Sequence, residues 1–370
     1  MPHVTERVLG FIADSASEPF DRLALDVFAH QYESNPAYRR WCDTADRTPG
    51  RVERVADIPA VPTSAFKELE FCCGTPAAEF RTSGTTGTGA GRHLAPSLEP
   101  YRQAALAWFR RCMLPEGWTL RMLVLAPPPD VAPHSSLTRM LAWVLEEYAE
   151  PGSGWYVNAE GLEEDRLAGA LLDAQRAGGP TLVAGTTAAL LAFCAYGERT
   201  GVALRLPGGS RLMDTGGQKG SGADAPVPLE EFQDGVRRRA ERVLSIPPER
   251  CVNEYGMTEL SSQFYDSVLA DRLAGRAPRP GSGSARERVK LGPPWVRTDA
   301  VDPVTLEPLP AGEPGLLRHV DLANVGSVAA VLTEDFGRVV EDGLILEGRP
   351  RASEARGCGL TFADLARRPR

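Results

Sequence analysis

Residues 80–93 read Phe-Arg-Thr-Ser-Gly-Thr-Thr-Gly-Thr-Gly-Ala-Gly-Arg-His, a run of glycines and hydroxyl residues with an arginine on either side. Glycine lets a backbone turn tightly and come close to a ligand. Successive main-chain N–H groups in such a turn form an anion-binding concavity, to which Ser and Thr hydroxyls add donors. The chemistry this composition suits is phosphate binding, centred on Ser83, Gly84, Thr85, Thr86 and Gly87. The same composition describes a plain surface loop. A P-loop is disfavoured, because Gly84 and Gly89 have its glycine spacing but Ala90 stands where its lysine must be.

A second cluster, Asn253-Glu254-Tyr255-Gly256-Met257-Thr258-Glu259, follows the strand-like Cys251-Val252. An aromatic ring beside a glycine can stack on a flat heterocycle. A hydroxyl and a carboxylate just beyond can reach a phosphate and its Mg²⁺, since Mg²⁺ is commonly held by one or two carboxylates plus phosphate oxygens. Taken alone, the cluster is an ordinary strand-to-helix turn. The third, Thr333-Glu334-Asp335, reads on its own as a turn cap at a strand end.

The elements that must position these clusters follow from periodicity. Residues 19–34 place Phe20, Leu23, Ala24, Val27, Phe28 and Gln31 at helical spacing, and Asn35-Pro36 ends the run. A short helix carries Tyr38 and Trp41, and a helix over about 97–113 follows the glycine-rich loop. Residues 120–126 read as a buried strand stopped by three prolines, and Ser135 or Ser136 caps the next helix. A strand near 155–157, helix 162–177, strand 181–185, helix 187–199, strand 211–215 and helix 229–244 come next. Strands alternating with helices of this length predict an α/β region of βαβ units with a largely parallel sheet, whose ligand loops sit at the carboxyl ends of strands. On helix 229–244 the run Arg237-Arg238-Arg239 reads as a solvated face. Residues 274–286 suit a loop or boundary, and beyond them turns at Asp302-Pro303, 312–315, Gly337 and Asp342-Gly343 predict a small antiparallel β unit.

Composition narrows the function classes. The chain has 370 residues, 42% hydrophobic and 24% charged, the balance of a globular protein. A net charge of -8 argues against a nucleic-acid partner held through phosphates. No apolar run approaches a membrane span, and the charged N-terminal stretch does not read as a signal peptide. The seven cysteines are scattered without a Cys-x-x-Cys pair and the five histidines lie far apart, so neither a disulfide framework nor a zinc site is indicated. A cytoplasmic compartment is the expectation.

In their order, Thr-Ser-Gly-Thr-Thr-Gly, Tyr-Gly-Met-Thr-Glu and Thr-x-Asp followed by Gly348-Arg349 resemble the adenylate-forming superfamily of acyl-CoA synthetases, luciferases and adenylation domains. Within it the chain looks most like the LuxE-type acyl-protein synthetases. The further motifs that carry this are Ile-Pro-Ala-Val-Pro at 58–62 with Phe66-Lys67, Arg92-His93, Ser135-Ser136-Leu137, Thr-Gly-Gly-Gln-Lys at 215–219, and residues 253–266. To these belong residues 302–310, Asp-Leu-Ala-Asn at 321–324 and Arg-Gly-Cys-Gly-Leu at 356–360. The likeness spans about residues 55–361.

The resemblance implies an α/β fold: a large domain of layered βαβ sheets with helices, plus a small antiparallel β subdomain. On this reading residues 1–280 form the nucleotide- and acyl-binding region, with N-terminal helices over 1–60, residues 281–350 the β subdomain, and 351–370 a tail carrying Cys358. It further implies ATP and Mg²⁺ as cofactors. Ser83, Gly84, Thr85, Thr86 and Gly87 would contact the ATP phosphates; Gly216 and Gly217 would line the adenine pocket, with Tyr255, beside Gly256 and Met257, stacking on the base. Thr258 would bond the α-phosphate, Glu259 would hold Mg²⁺, Asp335 would accept from the ribose hydroxyls, and Arg349 would lie near ribose or phosphate.

Two departures stand out. The lysine-bearing C-terminal domain of larger relatives is expected to be absent, since 21 residues follow Arg349 and none is Lys, which makes Lys219 the candidate cation. In the opening loop, Gly-Ala-Gly replaces the usual Pro-Lys-Gly. LuxE-type proteins carry an acylated cysteine where this chain has Cys358; flanking glycines give access and Arg356 favours the thiolate, which is the nucleophile. The function implied is ATP-dependent activation of a carboxylic acid, fatty or otherwise acyl, to an acyl-adenylate, then transfer to a thiol for a reductase or carrier-protein partner. Two alternatives remain open: a ligase that passes the acyl group to coenzyme A, a carrier protein or an amine, and a non-catalytic nucleotide-binding subunit.

Overall fold

The structure, a computed structural model, describes residues 3–82, 89–217, 227–277, 279, 287–341 and 343–349. The chain forms two compact units that interleave in sequence. Among the described residues, the first takes those up to Ala107, Met257–Gln263 and those from Gly292 to Arg349; the second takes those of Trp108–Gly256 and Phe264–Leu291.

In the first unit, helices Val4–Ala13, Phe20–Ser34 and Pro36–Thr44 come first. Leu23, Ala24, Val27, Phe28 and Gln31 form the buried face of the second, as the spacing predicts. Asn35 ends that helix and starts the next: its side chain accepts from the Tyr38 N–H, with Pro36 in the first turn. Strands Val296–Val301, Pro314–Asp321, Ala330–Val340 and Gly343–Gly348 pair antiparallel in sequence order, and Val61–Pro62 adds in parallel against Ala330–Val340. The antiparallel β unit is therefore present. Gly337, expected at a turn, lies instead within the long strand Ala330–Val340. Any Cβ there would sit 2.6 Å from the carbonyl oxygen of Ile345, so the glycine serves close approach of backbone. Strands Ala78–Arg81 and Arg92–Ala95 form a hairpin with Arg81 opposite Arg92.

The second unit is the parallel α/β part. Its strand order is Gly154–Trp155, Arg121–Leu125, Thr181–Thr186, Arg211–Thr215, Cys251–Tyr255, Phe264–Asp266 and Lys290–Leu291. The first five pair in parallel and the last two antiparallel. Between them lie helices Ser136–Tyr148, Glu164–Ala177, Thr187–Thr200 and Leu229–Leu244, the first capped by Ser135 and the third by Thr186. Apolar side chains on Glu164–Ala177, Thr187–Thr200 and Leu229–Leu244 pack with Leu123, Val183, Leu212 and Cys251 from the strands into one core.

Two expectations change here. Arg237 is not on a solvated face: it is 4% exposed, because helical periodicity places it with Val236, Ala240, Val243 and Leu244 on the inner side. Only its neighbours behave as predicted, Arg238 pairing with Asp234 and Arg239 with Glu198. No helix follows Tyr255; the chain runs irregularly through 256–263 and returns as the antiparallel strand Phe264–Asp266, with Glu254 opposite Tyr265.

Candidate active site

In the second unit, Arg211–Thr215 and Cys251–Tyr255 are adjacent parallel strands, with Glu254 level with Thr215. Their carboxyl ends therefore deliver Gly216 and Gly217 beside Tyr255 and Gly256, in the place where open parallel sheets bind ligands. Gly216 has φ +107°, a conformation that favours glycine. Tyr255 is 8% exposed, with its ring centroid 5.6 Å from that of Phe264.

Beneath these ends lies a buried polar network. The Thr187 hydroxyl donates to Asp214 Oδ2 at 2.7 Å, and Asn253 Nδ2 donates to the same oxygen at 3.0 Å. Lys290 Nζ donates to Asn253 Oδ1 at 2.8 Å and to Asp266 Oδ1 at 2.9 Å. Burial pushes the Asp266 carboxyl up, but Lys290 and Arg288 outweigh it and hold it below its ordinary value. Glu254 accepts from the Thr215 hydroxyl, yet burial prevails over that bond and over Lys290, and its carboxyl is pushed up to about 7. Asp214 is also raised, chiefly by burial.

In the first unit, residues 257–263 carry Met257, Thr258 and Glu259 on a strap without regular structure. The Thr258 carbonyl lies 2.6 Å from His93 Nδ1. A carbonyl only accepts, so the proton of this buried imidazole sits on Nδ1. Burial, only partly offset by that bond, lowers the His93 pKa. Asn324 Nδ2 donates to the Glu259 carbonyl at 2.9 Å, and Asp321 accepts from the Ser261 N–H at 2.9 Å and from the Ser262 hydroxyl at 2.8 Å. The loop bearing Asn324 is in turn fixed by Gln31, whose Nε2 donates to the Asn324 carbonyl at 3.0 Å while its Oε1 accepts from the Ala329 N–H at 3.0 Å.

Glu259 is 7% exposed. Burial pushes its carboxyl up to about 7; Arg349 opposes the shift, and Asp335 and Glu334 add to it. Arg349 Nε donates to Asp335 Oδ1 at 2.9 Å. Thr258, Glu259, Asp335 and Arg349 thus all fall in the first unit, with the last three electrostatically coupled, while Gly216, Gly217, Tyr255 and Gly256 fall together in the second. Ser83, Gly84, Thr85, Thr86, Gly87, Lys219 and Cys358 lie outside the described residues. The stem of the glycine-rich loop is described: Gly91 N–H donates to Thr82 Oγ1 at 2.8 Å, and Thr82 N–H to the Gly91 carbonyl at 2.9 Å.

Sequence reasoning gave no role to His93, Asn324, Gln31 or Glu254, each a polar residue beside apolar neighbours in strand, helix or motif. Among the described residues, no three His, Cys, Asp or Glu side chains converge to hold a metal ion, and no helix is long and apolar enough to cross a membrane. Burial pushes the thiols of Cys42, Cys73, Cys194 and Cys251 up to about 12, which suits packing rather than nucleophilic chemistry.

Comparison with known proteins agrees with this geometry. Residues 4–91 match the family described as acyl-protein synthetase, LuxE. The long-chain-fatty-acid–luciferin-component ligase of Vibrio harveyi is 23% identical over 93% of this chain and 87% of its own length. The protein of the same name from Aliivibrio fischeri is 22% identical over 93% and 88%. Among solved structures, 2-hydroxyisobutyryl-CoA ligase in the postadenylation state, in complex with 2-HIB-AMP, superposes with a TM-score of 0.63 at 15% identity, over 89% of this chain and 67% of that one. An open conformation of that ligase with 2-HIB-AMP and CoA gives 0.60 at 16% identity, over 89% and 74%.

The fold is thus that of 2-hydroxyisobutyryl-CoA ligase, solved with an acyl-adenylate bound. In sequence the chain is similar to the LuxE acyl-protein synthetases.

Proposed function

We propose that the chain uses ATP and Mg²⁺ to convert a carboxylic acid of fatty-acyl type into its acyl-adenylate, and passes the acyl group to the thiol of Cys358. The observation that carries this reading is the register of Glu254 with Thr215, which sets Gly216 and Gly217 beside Tyr255 at the carboxyl ends of adjacent parallel strands. Tyr255 then offers a stacking face for adenine, and Asp335 an acceptor for ribose hydroxyls. Thr258 and the glycine-rich residues 83–87 supply hydroxyl and N–H donors for the phosphates.

A substrate carboxylate oxygen attacks the α-phosphorus, the bond to the bridging oxygen of the β-phosphate breaks, and pyrophosphate leaves with the electron pair. The thiolate of Cys358 then attacks the acyl carbonyl carbon and AMP departs, leaving a thioester. Glu259 fits a role in holding Mg²⁺, because a buried carboxyl raised to about 7 among other carboxylates is one a divalent cation would bring into its charged form. When bound, Mg²⁺ would screen the phosphate charge. Lys219 is the candidate for a cation that meets the phosphates. The acylated cysteine would serve a reductase or carrier-protein partner.

Carboxylate-dependent ATP–pyrophosphate exchange, with intact mass after incubation with ATP and a panel of aliphatic acids, tests this. Exchange with a thioester adduct that disappears in Cys358→Ser is the expected result. An adduct that persists in Cys358→Ser sinks the acyl-cysteine step, exchange unchanged in Lys219→Ala removes that cation, and silence across the panel refutes the activation itself.

A further inference from the structure

Strands Cys251–Tyr255 and Phe264–Asp266 pair through Glu254 with Tyr265 and Tyr255 with Phe264. One residue below, the Asn253 N–H meets a side chain instead, donating to Asp266 Oδ2 at 3.0 Å. The Asn253 carbonyl and Oδ1 are taken by Lys290, whose Nζ lies 3.0 and 2.8 Å from them and 2.9 Å from Asp266 Oδ1. An ammonium carries three protons, so this lysine, 2% exposed, has an acceptor for each. We propose that the Lys290–Asp266 pair is a positioning device for the nucleotide: it fixes Asn253, and through Asn253 it sets where two adjacent strand ends present Tyr255 and Gly216. This rests on the reading of those two residues as part of the adenine pocket.

Asn253 precedes Tyr255 by two residues, and its strand partner Asp214 precedes Gly216 by two. Asn253 Nδ2 donates to Asp214 Oδ2 at 3.0 Å, the oxygen that also accepts from the Thr187 hydroxyl at 2.7 Å. Gln233 Nε2 donates to Asn253 Oδ1 at 2.9 Å, alongside Lys290. A chain of buried polar contacts therefore runs from Lys290 and Asp266 through Asn253 and Asp214 to Thr187, crossing both strands just below their carboxyl ends. Its far end reaches the glycine turn: the Thr187 hydroxyl oxygen lies 3.0 Å from the Thr215 carbonyl oxygen and 3.3 Å from that of Gly216. A buried ion pair often adds no stability over apolar side chains of similar volume. Apolar side chains, however, cannot hold the N–H, the carbonyl and the side chain of one residue at once. Misplacement by about 1 Å, even from a change far from the chemistry, can cost about 100-fold.

The test removes both charges together, with Lys290→Met and Asp266→Asn in one chain, which leaves an acceptor for the Asn253 N–H. Thr187→Val and Thr187→Ser probe the other end of the chain of contacts, and decide the matter by themselves if the double variant does not fold. Calorimetric titration with ATP and MgCl₂, pyrophosphate exchange at varied ATP and thermal melts are run on the full chain. In the double variant the Kd and KM for ATP should rise on the order of tenfold, with kcat changed less, because the lost contacts act on nucleotide placement. Thr187→Val should raise both in the same direction, and Thr187→Ser, which keeps the hydroxyl, should bring them back. A partly unfolded population lowers the apparent kcat but leaves the Kd and KM of the folded molecules unmoved, so a merely structural role gives a different pattern. ATP affinity equal to wild type in a folded double variant or in Thr187→Val would overturn the proposal, as would Thr187→Ser binding as weakly as Thr187→Val. Wild-type chain that binds ATP but shows no exchange would instead count against acid activation alone.

Discussion

Replacing Glu259 by glutamine is expected to stabilise the fold above neutral pH while disabling acid activation. The side chain is 7% exposed, and its carboxyl is held at about 7 against an ordinary 4.5, mainly by burial. The fold thus favours the protonated form. As pH rises from the ordinary value toward the folded value, the unfolded chain has lost this proton and the folded chain has not, so stability falls across that window. Once the folded carboxyl ionises, near pH 7, the loss levels off. The displacement corresponds to about 3 kcal/mol.

Glutamine has nearly the same shape and no charge, so Glu259→Gln should recover up to about 3 kcal/mol at alkaline pH and almost nothing where both states of the wild type are protonated. Thermal melts of both proteins on either side of neutrality, without nucleotide or Mg²⁺, read this difference. The same variant should lose roughly 100-fold or more in pyrophosphate exchange if Glu259 holds the metal. A stability gain independent of pH, or no gain at all, would refute the burial argument. Full exchange activity in the variant would remove Glu259 from metal binding, whatever its effect on stability.

Tyr255→Ala should raise the KM for ATP about 10- to 100-fold through lost base stacking while changing kcat less, and Tyr255→Phe should behave like wild type; steady-state exchange kinetics at varied ATP read both. His319, buried beside the Thr298 hydroxyl at 2.8 Å, is pushed down to about 3 by burial. Its contribution to stability is therefore intact above the ordinary imidazole value of 6.5 and lost as pH falls toward 3, so His319→Gln should flatten the acid side of a melting-temperature profile. An acid limb as steep in His319→Gln as in wild type would show that other groups control it.

What was legible in the sequence was what short-range physics dictates. Strand Arg211–Thr215 and helix Leu229–Leu244 fall where hydrophobic period and flanking glycines or prolines put them, and Asn35-Pro36 breaks and restarts a helix through a local cap. Arg237 was misread because a run of three arginines looks solvated, although the helical period already assigned one of them to the apolar face. Contacts between distant positions were out of reach. Gln31 reads as one more residue on a helix face, and nothing local says that it secures the loop around Asn324 nearly three hundred positions later. Glu254 likewise looks like a polar strand residue until the sheet buries it against Thr215. For the candidate site, motif order suggested residue roles, but not the charge environment that raises Glu259 and Glu254.

The strap at 257–263 shows why those unpredicted residues matter to chemistry. A segment with no ladder or helix partners must find other partners for its buried N–H and C=O groups. Here side chains provide them: His93 donates to the Thr258 carbonyl, Asn324 to the Glu259 carbonyl, and Asp321 accepts from the Ser261 N–H. Holding the strap thus falls to residues other than Thr258 and Glu259, whose side chains are the ones predicted to meet phosphate and metal. His93 can do this only with a proton on Nδ1, and it stands on the strand that leaves the glycine-rich loop, packed against Phe66 and Phe80. One buried imidazole therefore fixes the foot of the loop expected to bind phosphate to the backbone of the residue expected to bond the α-phosphate, and it does so without contributing a charge.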